Sequence, residues 1–316
     1  MKTEVTRLLN IKYPVIQGGM AWVAEYHLAA AVSSAGGLGL IGAGGASAAF
    51  VKEQIENCRK LTNQPFGVNI MLMNPEADEI ARIIVDTGVK VVTTGAGSPE
   101  KYMKLWKEAG VKVIPVVASV AMAKRMQRYG ADALVAEGTE SGGHIGDHAT
   151  MSLVPQIVDA VTIPVIAAGG VGDGRGLAAA LMLGASGVQM GTRFLLAHET
   201  QIHASYKEMV AKAKDIDTQV TGRSTGHPVR SIRNPMTKEY LRMEREGASF
   251  EELEVLTLGS LRKAVLEGDT KGGSFLAGQI VGMVSKRQSC KEIIEEVVLE
   301  AVETINRAHA SISGTN

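Results

Sequence analysis

The chain has 316 residues, 45% of which are apolar, and its 33 basic side chains balance 33 acidic ones. This length allows one large domain with an addition, or two domains, and the neutral balance argues against an extended surface for nucleic acid. The two cysteines, Cys58 and Cys290, fit no metal spacing and no disulfide framework, so we expect a reduced, cytoplasmic protein without a metal site. The weakly polar stretch 20–50 carries Glu25 and His27, which do not suit a lipid-facing helix, so we predict no membrane segment.

Eight short apolar runs recur along the chain, and each ends in glycine or polar residues. Continuous runs of valine and isoleucine are typical of strands that are buried on both faces. The runs cover residues 14–19, 38–45, 65–70, 89–97, 111–117, 131–138, 163–170 and 186–191. Segments of helical period lie between them, and several end at a glycine that suits a helix C-terminus. Eight even alternations favour an α/β protein with a (β/α)8 TIM barrel over an open doubly wound sheet, which needs a switch point.

The alternation stops near His198, where the chain becomes more polar. Residues 199–271 contain charged helical stretches, with enough apolar side chains to bury a small core. We therefore predict a TIM barrel formed by residues 1–198 and 272–316, with a small, mainly helical inserted domain at 199–271 after the last strand. In that position the insertion would cover the carboxyl-end mouth of the barrel, where active sites of this fold lie.

Glycine turns after the seventh and eighth strands predict a phosphate site. The seventh strand ends at Gly169 and Gly170, a short helix follows Asp173, and the eighth strand ends at Gly191 and Thr192. Either turn alone is equally well explained as a plain tight turn. Exposed amides and a helix N-terminus at these two loops together are typical of phosphate binding in TIM barrels.

Two further strand ends carry weaker indications of a ligand. Gln17, Gly18, Gly19 and Met20 follow the first strand, where the glycines would let a flat ligand approach and the glutamine amide would reach a ring edge. A plain turn between strand and helix explains this stretch as well. Asn69 ends the third strand, and its amide suits either a polar ring edge or a neighbouring carbonyl.

The stretch VAEGTESGGHIGD, residues 135–147, joins an apolar strand to a loop with one histidine among small residues. Glu137 ends the strand, and Gly142 and Gly143 precede His144. Glycines crowded around one specific side chain indicate a backbone that lies closely against a flat ligand. A lone loop histidine more often has a structural role, so the stretch by itself is only a candidate site.

The motifs QGGM, GVNIM, TTGAG, SGGHIG, AAGGVGDG and QMGTRF, in this order and spacing, resemble those of the FMN-dependent enoyl-acyl-carrier-protein reductase II family of bacteria, the FabK type. That family is similar to the nitronate monooxygenases, and the two share SGGHIG. The resemblance covers essentially the whole chain. The stretches QGGMAW, FGVNIML and VVTTGAGSP favour the reductase.

The resemblance implies that FMN lies across the barrel mouth with its phosphate on the two glycine turns. The histidine loop would pass beside the flavin ring, and its histidine would project to where the substrate sits. The residues implied to bind FMN are Gln17, Gly18, Gly19, Met20, Asn69, Glu137, Gly142, Gly143, Gly169, Gly170, Gly191 and Thr192, and the implied catalytic residue is His144.

The resemblance further implies the last step of bacterial fatty-acid elongation. NADH or NADPH would reduce the flavin, which passes hydride to the β-carbon of a trans-2-enoyl thioester on acyl carrier protein. His144 is the implied donor to the thioester oxygen, where negative charge develops, since histidine exchanges a proton near neutral pH. A homodimer and a possible monovalent cation also follow from the resemblance.

Two alternatives remain open beside the reductase. One is a nitronate monooxygenase, which uses the same histidine and flavin with oxygen and binds no acyl chain. The other is a flavin-binding protein without turnover, which His144 argues against. The basic residues Arg223, His227, Arg230 and Arg233 suit dinucleotide phosphates or an acidic carrier protein, although such runs are usually only solvated.

Overall fold

The computed structural model describes residues 1–314, in which strands and helices alternate along most of the chain. The strands are β1 (Val15–Gln17), β2 (Gly39–Gly42), β3 (Phe66–Met71), β4 (Val91–Gly95), β5 (Lys112–Val117), β6 (Leu134–Glu137), β7 (Gly143–His144), β8 (Val165–Ala168), β9 (Gly187–Met190), β10 (Thr218–Thr221) and β11 (Val229–Ile232).

The helices surround the strands, and several begin at a side chain that caps their first amides. They are α1 (Glu4–Leu9), α2 (Tyr26–Ser34), α3 (Ala48–Leu61), α4 (Ala77–Asp86), α5 (Glu100–Glu108), α6 (Val120–Arg128), α7 (Thr150–Val158), α8 (Gly174–Met182), α9 (Ala204–Lys212), α10 (Pro235–Arg245), α11 (Phe250–Thr257), α12 (Ser260–Arg262) and α13 (Cys290–Ser313). Short 3-10 helices lie at Thr192–Leu196 and Gln279–Met283, and one π-helical turn lies at Lys263–Glu267.

Eight parallel strands form one sheet in the order β1-β9-β8-β6-β5-β4-β3-β2. The sheet closes on itself where Ile16 of β1 bridges Leu38, which directly precedes β2. Two backbone hydrogen bonds of 3.0 Å, from Gln17 N to Leu38 O and from Leu38 N to Val15 O, make this seam. The predicted TIM barrel is confirmed, and each predicted apolar run contains its strand apart from one residue of β3.

Apolar side chains fill the amino-terminal end of the barrel, and polar side chains line its mouth at the carboxyl ends of the strands. Helix α1 plugs the amino-terminal end with Val5 and Leu9. Burying such a side chain contributes about 1.5–3 kcal/mol, so this layer fixes the closed shape. The side chains that meet inside the barrel with α1 are Ile16, Leu38, Leu40, Val91, Ile114, Ala133, Val135, Ile166 and Ala168.

Successive residues of a strand point to opposite faces, so every second residue points into the barrel. Two residues beyond the apolar layer, toward the carboxyl ends of the strands, lie the next inward-pointing positions. Asn69, Thr93 and Glu137 occupy those positions on β3, β4 and β6, and Gln189 lies in register with Ala168 on β9. The barrel therefore presents a ring of polar side chains at the mouth, above an apolar floor.

The segment after β9 contains the predicted helices and also a hairpin that the sequence did not reveal. Strands β10 and β11 pair antiparallel, and β11 adds to β7 through the pairs Val229 with His144 and Arg230 with Gly143. The strands are short and half polar, so periodicity alone does not identify them. The hairpin thereby joins residues 199–271 directly to the histidine loop.

An apolar cluster crosses both predicted boundaries of the inserted domain. Val23 and Leu195 of the barrel, Val210 and Ile232 of the insertion, and Val281 beyond it share this cluster. The division at residues 198 and 272 thus stays a prediction. Within residues 1–314, no helix combines the length and the apolar character that a lipid bilayer requires of a spanning segment.

Candidate functional site

The turn after β1 is tied firmly to its neighbours. The Gln17 side chain is fully buried, accepts a hydrogen bond of 3.1 Å from Leu40 N and donates to Gly18 O. It therefore links β1 to β2 beside the barrel seam. Gly18 N donates to Met190 O at 2.9 Å, which attaches the same turn to β9. Contact of Gln17 with a ring edge stays a prediction, because both ends of its amide already have partners in the barrel.

Gly19 and Met20 bring this turn against two other loops of the mouth. A Cβ atom on Gly19 would lie 2.1 Å from Asn69 Cβ, so the position accepts only glycine without a shift. Asn69 Nδ2 donates to Gly19 O at 3.3 Å, and Thr93 Oγ1 donates to Asn69 Oδ1 at 2.8 Å. The sulfur of Met20 lies 3.4 Å from where a Cβ on Gly191 would be.

The two glycine turns offer backbone amides that the protein itself does not use. Gly169 and Gly170 have φ values of 88° and 78°, in the left-handed region that favours glycine. Within residues 1–314, no protein acceptor takes the amide hydrogens of Gly169, Gly170, Gly191 or Thr192. Exposed amides grouped in this way bind anions, so the turns suit a phosphate.

The N-terminus of α8 does not share in this arrangement. Asp173 accepts hydrogen bonds from Arg175 N at 3.0 Å and Gly176 N at 3.3 Å, and Glu300 of α13 accepts one from Gly174 N at 2.7 Å. Two carboxylates thus accept hydrogen bonds from the amides at the N-terminus of α8, which the sequence had indicated as phosphate donors. An anion at the mouth depends on the glycine turns instead.

Glu137 lies at the inner edge of the histidine loop, in the polar ring of the mouth. Burial raises the pKa of its carboxyl to about 7, and the nearby Ser141 hydroxyl opposes this shift only in part. Ser141 Oγ is itself buried; it lies near enough to Glu137 to oppose the pKa shift, but not in the geometry of a hydrogen bond, and it has no other partner among the described residues. A buried hydroxyl without a partner is costly, so it indicates a polar ligand at this place.

The histidine is carried by β7, above the barrel. A Cβ on Gly142 would lie 2.6 Å from the Ala277 carbonyl carbon, and Gly143 has a φ of 80°. The His144 side chain is exposed and makes no hydrogen bond within the described part of the chain. Partial burial by the surrounding loops lowers the pKa of His144, and the nearby His227 lowers it further. The ring is therefore free to meet a ligand and is more acidic than an ordinary histidine.

The basic stretch divides into residues of different character. Arg230 is buried and donates to Thr139 O from Nε at 3.3 Å and Nη2 at 3.1 Å, so it braces the histidine loop. Arg223 is exposed and lies 3.7 Å from Asp147, and Arg233 is also exposed. Arg223, beside Asp147, and His227, near His144, are exposed next to the histidine loop.

The structure brings all the predicted site residues to the carboxyl ends of the barrel strands. It adds Thr93, Gln189, Ser141 and Thr150, which the sequence analysis missed. The sequence did carry a signal for two of them, since the runs VVTTG and SGVQMG place a polar residue inside a buried strand. Among residues 1–314, no three histidine, cysteine or carboxylate side chains are grouped to hold a metal ion.

Known proteins match this chain over nearly its full length. The sequence model of the nitronate monooxygenase family covers residues 2–300. The structure of FabK from Thermotoga maritima is 48% identical, with a TM-score of 0.96 over 98% of this chain and 99% of its own. An octahydroindene-carboxyl-CoA dehydrogenase of Mycobacterium tuberculosis is 33% identical over 99% of both chains. A probable nitronate monooxygenase of Staphylococcus saprophyticus is 35% identical over 97% of this chain and 99% of its own.

Proposed function

Since the chain belongs to the nitronate monooxygenase family, whose members are flavin oxidoreductases, we propose that it binds FMN and reduces trans-2-enoyl thioesters of acyl carrier protein with NADH or NADPH. The observation that carries the choice of reaction is the 48% identity to FabK, against 33–35% to curated relatives of other names. The relative from Mycobacterium tuberculosis is named for a carboxyl-CoA substrate, which is also a thioester.

The residues at the mouth fit FMN. The unused amides of the turns at Gly169–Gly170 and Gly191–Thr192 suit its phosphate, and the Ser141 hydroxyl lacks a partner that a ribityl or ring oxygen would supply. Asn69 and Glu137 lie in the polar ring where the isoalloxazine edge would rest. When bound, FMN supplies the hydride chemistry between nicotinamide and substrate.

His144 contributes the proton-bearing group. A thioester that gains hydride at its β-carbon develops negative charge on its oxygen, and a donor held there stabilises that charge. His144 reaches out from β7 without an internal hydrogen bond, so its ring is available to this oxygen. The partial burial that lowers the pKa of His144 makes the protonated ring a stronger donor.

The proposal includes the partners that the resemblance implied. An acidic carrier protein would meet the exposed Arg223 and His227 at the rim, and residues 199–271 would form a domain over the active site. A homodimer and a dependence on a monovalent cation belong to the same proposal.

A second candidate is the nitronate monooxygenase reaction. The family model and the Staphylococcus saprophyticus relative support it, and the histidine and flavin sites serve both reactions. The two differ in their electron acceptor, because the oxygenase uses molecular oxygen and needs no nicotinamide.

Steady-state assays separate these candidates. We expect the FMN-loaded protein to oxidise NADH or NADPH in proportion to added crotonyl thioester, with crotonyl-acyl carrier protein preferred over crotonyl-CoA. Oxygen uptake with propionate nitronate, and no thioester-dependent oxidation, would replace the reductase by the second candidate.

A further inference from the structure

Thr150 joins the histidine loop to the first glycine turn. It begins α7, and its hydroxyl lies 2.9 Å from Gly169 O. The same hydroxyl contacts the carboxylate of Glu140, which also accepts a hydrogen bond of 2.7 Å from Thr150 N. The contact leaves no room for another side chain, because a Cβ on Gly138 would lie 2.1 Å from Thr150 Oγ1.

The hydroxyl of Thr150 controls the direction of one candidate phosphate donor. Gly169 O and the Gly170 amide belong to one peptide group, which is planar, so the N–H points away from the carbonyl. Two neighbouring glycines leave such a peptide free to rotate. By holding Gly169 O, Thr150 turns the unused Gly170 N–H to the opposite side, where an anion would bind.

Thr150 has a single hydroxyl hydrogen and three acceptors within reach of it: the Glu140 carboxylate, Gly169 O at 2.9 Å and, farther away at 3.3 Å, Ala168 O. An anion that accepts from Gly170 N–H polarises the peptide and makes Gly169 O the better acceptor. Binding of the anion therefore favours donation to Gly169 and releases Glu140 from the hydroxyl.

Glu140 also reaches the second glycine turn. Its carbonyl oxygen accepts from Gln279 N at 2.9 Å, and the adjacent Gly278 N donates to Thr192 Oγ1 at 2.8 Å. Glu140 lies four residues before His144 in the same loop. One residue is thus connected to both turns of the candidate phosphate site and to the loop of the catalytic histidine.

We propose that Thr150 and Glu140 are positioning residues that couple cofactor phosphate at the two glycine turns to the placement of His144. The inference rests on the proposed function for the identity of the phosphorylated cofactor, FMN. Thr150 and Glu140 lie outside the motifs that indicated the site. Their contacts give a physical route by which the phosphate, although remote from the reacting atoms, affects the reaction.

Flavin binding without turnover tests the first half of the inference. Titrations with FMN and with riboflavin, which lacks the phosphate, are compared for the unaltered protein and for Thr150→Val, which keeps the side-chain shape. We expect Thr150→Val to weaken FMN binding roughly tenfold and to leave riboflavin binding unchanged. Thr150→Ser restores the hydroxyl and the FMN preference. Ser152→Ala is the matched control, since Ser152 lies in the same helix and its hydroxyl donates to the nearby Ala149 O.

Hydrogen exchange tests the coupling itself. FMN should slow amide exchange in residues 139–147 more than riboflavin does, and Glu140→Gln should abolish this difference while FMN still binds. Glu140→Gln also serves if Thr150→Val fails to fold.

Two results would overturn the inference. One is equal weakening of FMN and riboflavin by Thr150→Val, which assigns Thr150 a general structural role. The other is equal protection of residues 139–147 by both flavins in the unaltered protein. FMN binding without reduction of enoyl thioesters would instead contradict the proposed reaction and leave the coupling intact.

Discussion

Gly19 and Asn69 are packed so closely that a methyl group on Gly19 would lie 2.1 Å from Asn69 Cβ. Asn69 cannot withdraw freely, because Thr93 Oγ1 donates to its Oδ1 at 2.8 Å. This contact fixes the turn after β1 against β3 at the mouth of the barrel. The positions of both elements, which belong to the candidate flavin site, therefore depend on residue 19 being a glycine.

We therefore expect Gly19→Ala to lower the free energy of unfolding by about 1–3 kcal/mol, as overpacking does, and to weaken flavin binding. Gly95→Ala is the control, because a Cβ there meets no atom within 4 Å. Urea denaturation of the flavin-free proteins measures the effect. Equal stability of the two variants would show that Asn69 yields easily.

Glu137 makes the flavin-free protein less stable as pH rises. Its carboxyl has a pKa of about 7 when folded and an ordinary value when unfolded, so deprotonation favours the unfolded chain. The resulting loss in the free energy of unfolding is absent at acidic pH. It grows as pH rises from the unfolded pKa of Glu137 toward its folded pKa, and it reaches at most about 3 kcal/mol.

Glu137→Gln removes this pH-dependent loss of stability. We expect the variant and the unaltered protein to have similar free energies of unfolding at pH 4, and the variant to be more stable at pH 8. Chemical denaturation at both pH values measures the difference. A constant difference at the two pH values would show that Glu137 does not titrate in this range.

His227 affects His144 through charge. Positive charge on His227 disfavours the protonated His144 ring and, after partial burial, contributes to its lowered pKa. If the protonated ring is the donor, the rate of thioester reduction falls as pH rises through this pKa.

His227→Gln removes the like charge and raises the pKa of His144, so the fall in rate should move to higher pH. Stopped-flow reoxidation of the flavin across pH gives the profile. His309→Gln, on the exposed face of α13, is the control. An unmoved profile would mean that another group sets the fall in rate.

The barrel was readable from the sequence because its strands are largely buried on both faces and lie in short apolar runs rich in valine and isoleucine. The hairpin of β10 and β11 was not, since its strands are short and half polar, and β11 pairs with β7, which is distant in sequence. Pairing across that distance leaves no local pattern.

The candidate site was predicted at the level of loops rather than of individual contacts. The capping of α8 by Glu300 joins residues 126 positions apart, and no spacing rule predicts it. Gln17 illustrates the same limit, because its residue type indicated a ligand but gave no sign of its burial or of its bond to Leu40 N; its contact with a ligand stays a prediction. The glycine turns were found because their amides follow from local sequence alone.

His144 and bound flavin together are proposed to reduce an enoyl thioester. The most direct measurement is anaerobic: the flavin is reduced with NADH or NADPH, excess reductant is removed, and reoxidation by crotonyl thioester is followed for the unaltered protein and for His144→Ala. We expect fast reoxidation that His144→Ala slows roughly a hundredfold or more, with flavin reduction by nicotinamide retained. Absence of reoxidation by the thioester, together with turnover of a nitronate in air, would contradict it.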